Sequence, residues 1–533
     1  MITDRLAQLE KLLGDLHDPA NPTGAAAVLA ADERGEMLAA GETALHDYGL
    51  NAEFVPTALG GRLDDLEHLV EVMRSVYRRD PVLGLGYGVS SLISGVLLWT
   101  AASPAQAEAA ATRLLDGERI AVAVHELAHG NDMTGMELAA TLAADGWLIN
   151  GRKEVVTNIQ RAQAVVVFAR TDEKPGPRSH TLLLVERAPG DQTTDLPRYA
   201  TSGMRGLQLG GLQFDDTPAV ALGPVGSGLE QALRALQVTR TVLPAMATGV
   251  LDTGLRLAIT HLSQRRLYGG TAIELPHVRA VLGGVFADLL RAEAISAVGT
   301  RALHVVPGSA AVYSSAVKFA VSKLVLDAMD RLSELLGAHF YLREGPMALF
   351  QKLVRDLAPV GFGHIARAAC QMSLLPQLPL LARRSWRTQA DPTALFHGDL
   401  PELRFDRLAL HAGGQDPVAA SLASALQDNG LPHAVRAAAQ ADLAELTDLA
   451  EICARLPIAE LGVDAPAHHY DLVPRYVRLL VRISCLQLWR HSDGGFLADP
   501  AWLHEPVEDV LLAELFSRHR DHCYFGLSGR SLV

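Results

Sequence analysis

The chain has 533 residues, 49% of them apolar and 5% aromatic, and a formal net charge of −13. That length exceeds what one core organises, so several packed domains are expected, and the Ala/Leu-rich texture favours a mostly helical protein. The acidic balance leaves no electrostatic footprint for nucleic acid. The four cysteines all lie in the last third without CxxC spacing, which points to a reduced, cytoplasmic protein.

The first 16 residues lack the basic segment and long apolar core of a secretory leader. Residues 1–117 read as a helical N-terminal domain, with helices over 3–16, 25–48, 66–77, 85–99 and 104–115 and a stop signal at Asp116-Gly117. Residues 83–102 are nearly uncharged but studded with Gly and Ser, and they read as a helix buried in a core rather than a membrane span. From 118 to 226 short apolar runs at 120–124, 164–169, 181–185 and 212–214 alternate with Gly, Pro, Asn and Asp, the texture of a central β-domain. Within it Asn150-Gly151 predicts a type I′ hairpin turn, because both residues tolerate positive φ. Helical periodicity returns in 227–385 through 229–264, 276–305, 310–336 and 346–358, a four-helix C-terminal bundle domain. Residues 386–533 continue as a helical extension, with helices over 418–428, 433–455 and 472–490. The fold class is therefore α+β, mostly α.

One stretch carries more than periodicity. His125, Glu126, Gly130, Asn131 and Asp132 are followed by Gly146, Leu148, Asn150, Gly151, Lys153, Val155, Thr157 and Asn158. Further on come Phe214-Asp215-Asp216-Thr217-Pro218, then Gln264-Arg265-Arg266-Leu267-Tyr268-Gly269, Leu336-Gly337 and Lys352-Leu353-Val354-Arg355-Asp356. In this order and at these separations the segments resemble the acyl-CoA dehydrogenase and acyl-CoA oxidase superfamily, across about residues 30–385. The tail from 386 resembles, in length and helicity, the extra C-terminal domain of the oxidases.

The resemblance implies FAD held between the β-domain and the bundle, in a homodimer or homotetramer acting on an acyl-CoA or acyl-carrier-protein thioester. It places Thr157 beside the isoalloxazine and Val155 where a tryptophan usually stacks on it. His125 and Asn131 stand in the segment that precedes these positions. Arg265 falls where an arginine contacts the FAD pyrophosphate of the neighbouring subunit, and a planar, permanently charged fork suits a diphosphate. Gly337 stands where the backbone approaches FAD. A solvated Arg-Arg pair at a helix end is the alternative for Arg265-Arg266.

The catalytic carboxylate is missing. Eight residues after Asp356 the family places a Glu, and this chain has His364. A second family position for the base, before an arginine, is Thr239. His364 is the candidate base, since a neutral imidazole is available around its ordinary pKa of about 6.5. The alternatives are a histidine that only hydrogen-bonds flavin or substrate, and a packing residue in a site that no longer desaturates. His125 and His129 are four apart on strand and turn rather than helix, so no metal site is expected. Three functions stay open: FAD-dependent α,β-desaturation of an acyl thioester, a diverged flavin oxidase or monooxygenase on a carrier-bound intermediate, and a non-catalytic homologue that binds a carrier or partner.

Overall fold

A computed structural model describes residues 2–188, 190–503 and 509–532. The chain folds as two compact units, Met1–Thr239 and Arg240–Val533. The expected class is observed: mostly helical, with a central β-sheet domain.

The first unit opens with helices α1 (Ile2–Leu13), α2 (Ala25–Arg34), α3 (Ala39–Tyr48), α4 (Leu66–Arg79), α5 (Pro81–Gly84), α6 (Ser90–Ala101) and α7 (Pro104–Leu115). The helix expected over 25–48 is two, because Gly35 caps α2 in the left-handed conformation (φ 65°). Asp65 starts α4 by accepting from the amides of Glu67 and His68. Between α5 and α6 lies a π-helical turn, Leu85–Val89. Its glycines answer to crowding: a Cβ on Gly88 would sit 2.6 Å from the Phe54 ring. Pro81–Ala101 and the later Gly228–Gln264 are long and apolar enough to cross a membrane, and both are largely buried in the protein.

Seven strands follow: β1 (Ile120–Ala123), β2 (Ala139–Ala143), β3 (Gly146–Thr157), β4 (Ala164–Arg170), β5 (His180–Glu186), β6 (Thr193–Leu196) and β7 (Leu209–Leu222). The pairing closes on itself: β2 pairs β3, β3 pairs β7, β7 pairs β5, and β5 pairs β4. The other edge of β4 carries β1 and the start of β2. Inside lie Val165, Val167, Leu183, Val185, Leu212 and Phe214, all fully buried. The Asn150-Gly151 turn is not there. β3 continues through both residues with a register shift between Ile149 and Gly151, and the hairpin reverses at Ala144-Asp145, where Ala143 faces Gly146. Asn150 instead bridges to β7, its Nδ2 donating to Asp216 Oδ1 (2.8 Å) and its Oδ1 accepting from the Asp216 amide (2.9 Å).

Helix α8 (Gly228–Gln264) belongs to the second unit from Arg240 onward. Then come α9 (Pro276–Val305), α10 (Ala310–Leu336), α11 (Ala338–Tyr341), α12 (Ala348–Leu357), α13 (Arg367–Leu374), α14 (Leu378–Arg384), α15 (Pro417–Ala425), α16 (His433–Cys453), α17 (Ala467–Tyr470), α18 (Leu472–Arg490) and α19 (Asp509–Arg520). Helices α8, α9 and α10 meet at Gly299, where a Cβ would lie 2.4 Å from Val317 and 3.4 Å from Thr241. Helix α18 packs on α9, α10, α15 and α16. Fully buried Asp416 pins that junction, accepting from Tyr313 Oη (2.9 Å), Trp386 Nε1 (2.8 Å) and Tyr476 Oη (2.6 Å).

Candidate functional site

In the first unit the turn after β1 is wrapped around a buried ion pair. Lys153 is wholly buried on β3 and donates to Glu126 Oε1 (2.7 Å) and to the Val124 carbonyl (2.9 Å). Glu126 also accepts from the amides of Glu137 (2.8 Å) and Leu138 (3.0 Å), so one carboxylate gathers both ends of the 126–138 loop. A buried charge held this way is expensive to break from either side. Burial pushes the Lys153 ammonium down to about 8, against the pull of Glu126.

That loop sets His125 against β3, where its carbonyl accepts from the Glu154 amide (3.1 Å). Val155 is the next residue, so two of the expected flavin contacts are brought together. Burial pushes the His125 imidazole below its ordinary value; a hydrogen bond to the Gly130 backbone opposes this and the Lys153 charge adds to it. The ring is therefore neutral at pH 7.

Val155 sits at φ 57°, in a register shift of the β3–β7 pairing between Lys153 and Val156. A β-branched residue in the left-handed region is strained, and strain of this kind gathers at functional sites. Thr157 is half-buried at the end of β3, opposite Leu209. Asn158 turns the chain at φ 61° and donates through Nδ2 to the Gly86 carbonyl (2.6 Å) and Ser90 Oγ (2.9 Å), locking β3 to the π-helical turn. Asn131 is exposed in the loop and stands apart from this group.

In the second unit Arg265 and Gly337, far apart in sequence, become neighbours. Arg265 follows the last residue of α8 and points Nη1 at the Leu336 carbonyl (3.5 Å), one residue before Gly337. Gly337 adopts φ 58° and ψ −138°, which only glycine takes readily, and nothing lies within 4 Å of where its Cβ would be. His261, one turn before Arg265, packs its ring 4.8 Å from that of His339. Its Nε2 is buried with no protein partner. Burial, then His339, then Arg265 hold the His261 imidazole down. A guanidinium and two imidazoles beside an open glycine backbone suit a phosphate-type anion, so these residues fit the diphosphate of the expected flavin.

His364 is half-buried in the loop after α12, at φ 65°. The loop hangs from one face of α10: Lys318 Nζ donates to the carbonyls of Val360 (2.7 Å) and Gly363 (3.1 Å), and Ser322 Oγ to Val360 (2.8 Å). Sequence reading missed Lys318, His261 and His339. The lysine inside the apolar run 310–321 of α10 was the available signal.

Comparison with known proteins bears on the family and the fold. Residues 121–217 match the family described as acyl-CoA dehydrogenase, middle domain, and residues 226–362 match acyl-CoA dehydrogenase, C-terminal domain. Among curated relatives, isovaleryl-CoA dehydrogenase, mitochondrial, of Oryza sativa subsp. japonica is 29% identical over 249 residues, 46% of this chain and 60% of that protein. The chain thus spans about three-fifths of the length of that relative. Among solved structures, butyryl-CoA dehydrogenase from Megasphaera elsdenii superposes with a TM-score of 0.62 at 21% identity, covering 70% of this chain and 96% of that one. An acyl-CoA dehydrogenase complexed with FAD from Bacillus anthracis superposes with a TM-score of 0.72 at 15% identity, covering 97% of this chain and 87% of that one. The last likeness extends the shared fold through the helices beyond residue 386.

Proposed function

The chain belongs to the acyl-CoA dehydrogenase superfamily, and on that premise we propose that it is an FAD-dependent oxidoreductase that desaturates an acyl thioester between its α and β carbons. The observation that carries this reading is the juxtaposition of Arg265, Gly337, His261 and His339 in the second unit, a set suited to a flavin diphosphate. Thr157, with Val155 and His125 beside it, would hold the isoalloxazine. FAD, when bound, supplies the acceptor for the hydride that leaves the β-carbon. The protein's own part is to position the thioester, exclude water and remove the α-proton.

His364 is the group we assign to the proton, through a neutral ring nitrogen. Its loop is fixed by two side chains of α10, so the imidazole is held on a rigid element, as a general base must be. The homo-oligomer, dimer or tetramer, belongs to the same proposal, as does a carrier-protein thioester in place of CoA.

The test is single-turnover flavin reduction by acyl thioesters in the purified, FAD-loaded protein. His364→Ala is expected to keep its flavin and its melting temperature and to lose reduction rate by at least about 10²-fold. Undiminished reduction in that variant would move the base elsewhere. A protein that takes up no FAD even when reconstituted would favour a binding role over an enzymatic one.

A further inference from the structure

The end of α8 and the short helix α11 bring two imidazoles and a guanidinium together in the second unit. The rings of His261 and His339 have centroids 4.8 Å apart and planes tilted by 56°. Arg265, one turn beyond His261, leans on the Leu336 carbonyl, three residues before His339. His339 is exposed, and Gly337 nearby leaves open space where a side chain would stand. The His261 ring is half-buried, and its Nε2 has no hydrogen-bond partner.

The charge around this pair is one-sided. Burial, then His339 from α11, then Arg265 just past the end of α8 hold the His261 imidazole below its ordinary value. From α19, His519 reaches the adjacent Thr260, Nε2 to Oγ1 at 3.4 Å. These neighbours include no carboxylate. An imidazole so placed is neutral at pH 7 in the free protein. What it lacks is an anion, since an opposite charge within about 4–6 Å favours the protonated ring. Two imidazolium rings at 4.8 Å repel each other, so the pair accepts one added proton more readily than two.

We propose that His261 and His339 make cofactor retention proton-linked: the pair takes up one proton from solvent when a flavin diphosphate seats against Arg265, so FAD is held more tightly as pH falls. This rests on the reading of Arg265 and Gly337 as a flavin-diphosphate site. Arg265 supplies a charge that pH does not change, and the pair supplies one that it does. The sign follows from the two states. The free pair is neutral and the loaded pair protonated, so binding consumes a proton and acid favours it. The diphosphate diester is ionised throughout the neutral range and contributes no proton of its own.

The experiment is calorimetric titration of FAD into the flavin-stripped full-length protein between about pH 6 and 8, in two buffers of different ionisation enthalpy. Affinity is expected to fall at least about 5-fold across that range, with about 0.5–1 proton taken up per FAD near pH 7. His339→Gln, at an exposed position, is expected to cut the uptake by at least about half. Adding His261→Asn is expected to abolish both the uptake and the pH slope. Should the double variant not fold, the single variant carries the test. A flat pH profile in the unmodified protein, or an uptake undiminished in His339→Gln, overturns the proton linkage while leaving the flavin site standing. FAD that binds at no pH in the range overturns the flavin reading, and the linkage with it.

Discussion

Lys318 imposes a pH dependence on stability. Burial pushes its ammonium from 10.5 down to about 8, with Arg240 pushing the same way and Cys370 against. Below pH 8 both folded and unfolded chains hold the proton, and the folded state carries the full penalty, on the order of 3 kcal/mol. Between about 8 and 10.5 the unfolded chain still holds a proton that the folded chain has released, so stability rises with pH across that window. Lys153 adds a similar slope, but it is common to both proteins when unmodified chain and Lys318→Met are compared. The difference in urea unfolding free energy between those two should shift toward the unmodified chain by about 2–3 kcal/mol from pH 7.5 to 10. A constant difference would show that Lys318 does not titrate there. Arg265 makes a separate prediction: Arg265→Ala should weaken FAD retention by roughly 1.5–3 kcal/mol, read as flavin lost on dialysis. His364 could be found by counting from Asp356. Lys318 could not, because periodicity says only that its face of α10 is buried, and what the charge meets there depends on a loop some forty residues on.

At the scale of elements, the helices were legible and the strands less so. The bounds of α7, α9, α10 and α18 follow from Pro in the first turn of α7, α9 and α18, from sustained apolar periodicity in α9 and α10, and from a polar, proline or glycine stop. The region of β3 misled because Asn-Gly has two uses. In a two-residue turn its backbone supplies the positive φ. Here Gly151 (φ 120°) sits in a bulge with Leu138 against it, and the Asn150 amide reads across to Asp216. The second irregularity in β3 puts Val155 in the left-handed region, at a cost of about 1–3 kcal/mol. Val155→Asn, a residue that accepts that conformation, should therefore raise the unfolding free energy by about 1 kcal/mol. A drop in stability would mean that the packing of the valine methyls outweighs the strain.

At the scale of the whole molecule, the tail helices are structural partners of the bundle, which their composition alone did not reveal. Asp416 makes the connection, collecting hydroxyl and indole donors from α10, from Trp386 and from α18. Asp416→Leu would strand three buried donors at once and should destabilise the second unit by at least about 3 kcal/mol, seen as a lower urea midpoint for the helical signal. An unchanged midpoint would show that these donors find other acceptors. A second such connection sets an order of events. Glu293, buried in α9, accepts from Tyr524 Oη and from the Leu527 amide (2.8 Å), partners 231 and 234 residues further along. A ribosome delivers α9 long before it delivers them. Through that interval the carboxylate lacks these donors, and the helices around it have reason to stay loosely associated and open to chaperones. The final packing of the second unit is therefore timed by the emergence of residues 524–527, and a chain stalled or terminated before them would be left with a core that cannot dry.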